Sequence, residues 1–227
     1  MVRGKGAQAF LLKVLTNSAR ALQIGQAQYT FIATDTGGAV DDAYLYRPAA
    51  DEYLLVVNAS NRDKDWQWLD QHNQQADVRL ENISEDLGMI SLQGPNSGNL
   101  MEQMVDTREL PESKRNWLRT VTIDDHPVIV ARTGYTGESA GFELFPERDQ
   151  TVALWEKLIA LGAAPIGLGA RDSLRLEAGL PLYGHELGDD TEQREIPVFA
   201  NELARFAVRT TDEGVYVGKQ ALQRQRQ

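Results

Sequence analysis

Two alternating runs joined by a glycine-rich turn, between Gln26 and Tyr46, constrain the fold of this chain most. Residues 26–34 put Tyr29 and Phe31 on one side and Gln28 and Thr30 on the other, the two-residue period of a strand. Thr34-Asp35-Thr36-Gly37-Gly38 supplies turn chemistry, and residues 39–46 read as the returning strand of a hairpin. After a turn at residues 48–52, Tyr53-Leu54-Leu55-Val56-Val57 reads as a short apolar strand. Ahead of the hairpin, Ala7, Phe10, Leu11, Val14 and Leu15 share one helical face.

The remaining pattern is a mixture of hairpins and helices. Ser60 and Asp63 have capping-box spacing before a helix through Lys64, Trp66, Leu69 and Asp70. Short strands are predicted near residues 78–80 and 89–92, and Gly94-Pro95 opens a helix carrying Leu100, Met101 and Met104. Residues 120–123 and 128–132 form a second hairpin across Asp124-Asp125-His126, and residues 141–145 continue its sheet. Residues 152–161 make an amphipathic helix with Leu154, Trp155, Leu158 and Ile159, and a last helix starts at Gly218-Lys219. Short strands and helices in this order predict an α+β fold, with mixed antiparallel sheets and flanking helices in two intertwined sub-domains. No linker or repeat marks a boundary, so residues 1–227 are taken as one region.

Composition excludes several functions. No apolar run nears the roughly 18 residues that span a bilayer, so no membrane role is expected. The chain has no cysteine, which rules out disulfides, thiolate catalysis and zinc–thiolate sites and is compatible with a cytoplasmic location. A formal charge of −10 opposes general nucleic-acid binding, which needs cations against phosphate. The basic cluster Lys114, Arg115 and Arg119 reads as a solvated face. His72, His126 and His185 lack metal-ligand spacing and read as surface or turn residues, so no metal is expected.

Four segments could carry chemistry. Asp41 and Asp42 follow the glycine turn on opposite strand faces, Asp42 with Tyr44 and Tyr46, and either they serve a cavity or they cap the hairpin in solvent. Asn58 ends a buried strand, where its amide either orients a heterocycle or turns the chain. Glu143 lies between Phe142 and Leu144, where a carboxylate needs a partner: a donor edge of a ligand, an arginine, or water at a sheet edge. Gly167 to Gly184 packs Arg171, Asp172, Arg175 and Glu177 between glycine turns. A fixed guanidinium there could hold a carboxylate, or the charges could pair along the helix.

Taken in order, Gly25-Gln26-Ala27-Gln28-Tyr29-Thr30, Gly37-Gly38-Ala39-Val40-Asp41-Asp42, Val56-Val57-Asn58-Ala59-Ser60-Asn61 and Leu92-Gln93-Gly94-Pro95 are followed by Thr133-Gly134-Tyr135-Thr136-Gly137-Glu138 and the stretch 170–184. Together, from Gly4 to Leu222, they resemble the aminomethyltransferase of the glycine cleavage system, the T protein. The resemblance implies transfer of a one-carbon unit from an aminomethyl group on a lipoyl-carrier protein to tetrahydrofolate, with release of ammonia. It implies that Asp42 is the catalytic carboxylate, orienting the folate amine and stabilising the iminium-like cation. It also implies that Tyr29, Tyr46, Val56 and Asn58 line the pterin pocket, that Glu143 pairs with the pterin ring donors, and that Arg171 contacts folate. Members of this family carry further residues before this chain's start and a C-terminal barrel domain beyond its end. The loop Glu138-Ser139-Ala140-Gly141 is slightly longer than their usual form, which would shift Glu143. The alternatives are a folate-binding accessory protein of the same superfamily, whose cysteine motif this chain lacks, and a non-catalytic fragment.

Overall fold

The computed structural model describes residues 1–74, 76–210 and 214–227. The chain divides into two compact units: residues 1–81 together with 181–227, and residues 82–180. It builds most of the first, completes the second, and returns to the first.

The first unit opens with strand β1 (Val2–Arg3) and helix α1 (Ala7–Val14), followed by the hairpin strands β2 (Gln26–Ala33) and β3 (Ala39–Ala49). Next come β4 (Glu52–Val57), a 3₁₀ turn (Ala59–Asn61), α2 (Arg62–His72) and β5 (Arg79–Leu80). The five strands form one antiparallel sheet in the order β2-β3-β4-β1-β5. The hairpin register pairs Phe31 with Asp42 and Ile32 with Asp41, and shifts after Ile32 as the chain enters the glycine turn.

Three local expectations change. The returning strand runs through Pro48 to Ala49, so the turn shrinks to Ala50-Asp51. Ser60 lies in the 3₁₀ turn and Asn61 precedes α2; no side chain caps that helix, so the capping box does not form. Asn61 is instead turned inward, where its amide bonds Asp41. Trp155, assigned to an apolar face, is 43% exposed, while Leu154 and Leu158 are buried.

The second unit contains β6 (Ile90–Gln93), α3 (Ser97–Glu102), β7 (Leu118–Ile123), β8 (His126–Ala131), β9 (Gly141–Phe145), α4 (Thr151–Ala160) and α5 (Leu168–Glu177). Its antiparallel sheet runs β6-β9-β8-β7. Asp124 and Asp125 turn the β7–β8 hairpin at φ 49° and 67°, the left-handed pair that suits a two-residue loop. Ile90, Leu92, Val121, Val128, Val130, Phe142 and Leu144 pack with Leu100, Met101, Leu154 and Leu158 into one core. Each fully buried aliphatic or aromatic side chain contributes about 1.5–3 kcal/mol by leaving water.

The chain then re-enters the first unit through a 3₁₀ turn (Val198–Ala200), α6 (Ala204–Ala207) and α7 (Lys219–Gln225). Alternation along β2 and β3 thereby serves two cores. Ile32, Leu45 and Tyr53 join Phe10, Leu11, Val14 and Leu15 from α1 and its end. Phe31, Ala33 and Ala39 join Leu187, Val198, Ala204, Ala207, Tyr216 and Leu222. Both faces of the hairpin are covered, which is why Thr30, expected on the polar side, is also buried. Gly218, at φ +78°, starts α7 directly over the carbonyl of Thr34.

Candidate functional site

The functional side chains predicted from sequence fall into two groups, one in each unit. In the first unit the hairpin brings Asp41 and Asp42 to the end of β4, where Asn58 leaves the sheet. Neither aspartate faces water: Asp41 is 0% and Asp42 8% exposed, so the solvent alternative is overturned. Although they leave the strand on opposite faces, one amide holds both. Asn58 Nδ2 donates to Asp42 Oδ1 at 2.7 Å and to Asp41 Oδ1 at 2.8 Å, and the Asn58 backbone N–H donates to Asp41 Oδ2 at 3.1 Å. Asn61 Nδ2 adds a bond to Asp41 Oδ1 at 2.9 Å.

The second oxygen of Asp42 accepts from the Tyr29 hydroxyl at 2.9 Å across the hairpin. Tyr29 meets Tyr44 edge-on at 6.2 Å between ring centres, and Tyr44 lies 5.4 Å from Tyr46. Val56 pairs with Tyr44 in the sheet and is half-buried, and Tyr46 is fully buried behind them. Tyr29, Asp42, Tyr46, Val56 and Asn58 therefore belong to one neighbourhood of β2, β3 and β4.

Burial pushes the Asp42 carboxyl up to about 6, and the charge of Asp41 pushes the same way. The hydrogen bonds from Tyr29 and Asn58 oppose that rise. The result is a carboxyl poised near neutrality and held by two donors, the kind of group that general acid–base or electrostatic catalysis uses.

In the second unit, Glu143 sits on β9, an interior strand, with Ser91 beside it on β6 and Ala131 on β8. It is 7% exposed, which overturns placement in solvent at a sheet edge. The Thr133 hydroxyl bonds it from inside the protein. Glu143 lines a cavity of about 570 Å³ together with Ser91, Tyr135, Trp155 and Arg171. That volume lies within the range of small-molecule sites, and the mixture of apolar walls and few polar groups is typical of them.

Arg171 and Arg175 divide the work foreseen for one guanidinium. Arg175 is buried and paired with Asp172 at 2.7 Å, and it also donates to the Leu180 carbonyl at 3.2 Å, so it closes the end of α5. Arg171, one turn earlier, stands over the Tyr135 ring at 5.9 Å and lines the cavity. Glu143 and Arg171 are thus brought to a common cavity.

Sequence reasoning missed Asn61 and Asp65 in the first unit and Gln93 and Thr133 in the second. Asn58, Asn61 and Asp65 recur at helical spacing, a signal that was available. Gln93 was masked by its strand ending. Its amide donates to the carbonyls of Thr133 and Phe142 at 3.1 and 3.2 Å, and only glycine at 134 and 141 leaves room for it. Among the described residues no group of three or more metal-binding side chains is assembled, and no helix is long and apolar enough to cross a membrane.

The fold and these two groups define an α+β protein with buried, hydrogen-bonded carboxylates in each unit. Residues 1–199 match the GCVT N-terminal domain model, and the chain belongs to that family. It is 39% identical over 230 residues to an aminomethyltransferase of Bacillus pumilus, covering 100% of this chain and 61% of that protein. An aminomethyltransferase of Prosthecochloris aestuarii is 44% identical over 227 residues, covering 97% and 60%. Among solved structures, the glycine cleavage system aminomethyltransferase T from Bartonella henselae superposes with a TM-score of 0.74 at 30% identity, covering 97% of this chain and 58% of that one. The chain spans about three fifths of the length of the curated relatives it matches.

Proposed function

We propose that this chain carries the folate-handling part of an aminomethyltransferase, which moves a one-carbon unit from an aminomethyl group on a lipoyl-carrier protein to tetrahydrofolate and releases ammonia. The observation that carries the reading is Asp42, buried, raised to about 6, and aimed by Asn58 at 2.7 Å and Tyr29 at 2.9 Å. At neutral pH such a group is largely ionised yet easily protonated. Its roles are to orient the folate amine that takes the carbon and to stabilise the positive charge that develops as ammonia leaves. Because both oxygens of Asp42 are already held, little reorganisation is needed when that charge appears.

Tetrahydrofolate is the acceptor substrate, and the residues fit its chemistry. A pterin ring presents adjacent N–H donors, and a carboxylate accepts them in parallel. Glu143 is assigned to that edge, since it is a buried carboxylate lining the cavity and a carboxylate accepts two parallel N–H donors. Arg171 is assigned to the acidic, glutamyl side of folate by charge. Tyr29, Tyr46, Val56 and Asn58 supply the aromatic and amide wall near the reacting carboxylate.

The test uses the full-length protein with its carrier. Asp42→Asn is expected to lower transfer about 100-fold, the scale of removing one preorganised electrostatic contact, while tetrahydrofolate affinity changes only slightly. Equal losses in transfer and binding would remove Asp42 from the catalytic role.

A further inference from the structure

Asp65 lies on α2, two turns after Asn58. It is 1% exposed, and among the described residues no donor group reaches either of its carboxyl oxygens. The carboxyl of Asp41 lies beside it, where a hydrogen bond forms only if one of the two carries a proton. Two carboxylates repel, and two carboxyl groups bond only by sharing a proton.

The location of that proton follows from the other partners. Asp41 accepts three N–H bonds, from the Asn58 backbone, the Asn58 amide and the Asn61 amide, and each favours its charged form. Asp65 receives none, so the proton belongs to Asp65. We propose that Asp65 is a positioning residue, kept protonated and donating to Asp41, which fixes that carboxylate and through it the Asn58 amide that aims Asp42.

Burial, followed by the bond to Asp41 and its charge, pushes the Asp65 carboxyl up to about 9. The charged groups acting on it are Asp41 and Asp42 from β3 and Lys64 from its own helix; Asp42 adds to the rise and Lys64 opposes it. A neutral Asp65 also spares the cluster a third negative charge.

The shared proton is tested without any assay of activity. In carbon-13 aspartate-labelled protein at about pH 8, above the value of about 6 for Asp42 and below that of about 9 for Asp65, the infrared band of a protonated carboxyl is expected in the wild type and is lost in Asp65→Asn. Absence of the band from the wild type overturns the proposal. The effect on catalysis rests on the reading of Asp42 above and is measured on the full-length protein. Asp65→Ala is expected to lower kcat about tenfold, equivalent to about 1.4 kcal/mol, with KM unchanged. Asp65→Asn, which keeps a neutral donor, recovers most of that loss, and equal losses in the two variants overturn the positioning role. If the wild type transfers no carbon at all, the assignment of Asp42 fails while the infrared band still decides the state of Asp65.

Discussion

Asn58 donates its side-chain amide to Asp42 at 2.7 Å, and the same nitrogen lies 2.8 Å from Asp41. A single neutral group thereby bridges two adjacent buried acids, with Asn61 and Tyr29 each adding a donor to one of them. The hairpin alone could not do this, because neighbouring strand residues diverge to opposite faces. It takes a donor arriving from the end of the next strand, at the level where the two side chains leave the backbone.

Removing that donor exposes the repulsion it offsets. Asn58→Ala is expected to destabilise the protein by about 1–3 kcal/mol, the cost of buried acceptors left unpaired. The Asp42 carboxyl should then titrate above its present value of about 6. Urea unfolding and the side-chain carbon NMR titration of Asp42 check both outcomes; a variant as stable as wild type with unchanged titration refutes the account.

The two raised carboxyls give stability a definite pH dependence. Asp42 and Asp65 rise from 3.8 to about 6 and about 9 on folding, so the folded state holds their protons more tightly than the unfolded one. The stability they contribute is fully present below pH 3.8 and is lost as pH rises, through about 6 for Asp42 and about 9 for Asp65. Each titration contributes a fall of about 1.4 kcal/mol per pH unit within its window. Asp42→Asn should flatten the decline between pH 4 and 6 (approximate limits), and Asp65→Asn should flatten it as far as about pH 9. Denaturant midpoints across that range measure it, and unaltered slopes in both variants contradict it.

Glu143→Ala is expected to weaken tetrahydrofolate binding by about 10- to 100-fold, because it removes a charged acceptor and leaves the Thr133 hydroxyl without that partner. Calorimetry on the full-length protein reads this directly. Unchanged affinity would take Glu143 out of the pterin site and leave it a structural acceptor for Thr133.

Gly218 should tolerate no side chain. A Cβ there would lie 2.3 Å from the Thr34 carbonyl oxygen, at φ +78°. Gly218→Ala is expected to destabilise by more than the roughly 1–2 kcal/mol of left-handed strain alone. Gly162→Ala, at φ +102° with open space around it, shows the strain without the clash. Thermal unfolding of the two variants separates these effects, and equal shifts would mean that Thr34 simply gives way.

Much of the secondary structure was legible because its signals are local. The two-residue period of residues 26–33, the Thr34–Gly38 turn and the helical face of Phe10, Leu11 and Val14 each depend on neighbours in sequence. The Ser60–Asp63 box failed because Asn61 found a better partner in buried Asp41 than in the helix end. A rule about neighbours has no knowledge of a carboxylate twenty positions earlier.

The sequence by itself determined which chemistry was present: paired acids after a glycine turn, an asparagine closing an apolar strand, and a glutamate between two large apolar residues. Only the tertiary structure decided what state those groups are in. Asp42 lies near neutrality because the C-terminal segment covers one face of the hairpin and α1 the other, stripping water from the acids between them. Asp65 is assigned its proton because, among the described residues, no donor reaches its oxygens and another carboxyl lies beside it. Ionisation depends on local solvation and on distances of a few ångströms between residues far apart in the chain, and no reading along the sequence contains those distances.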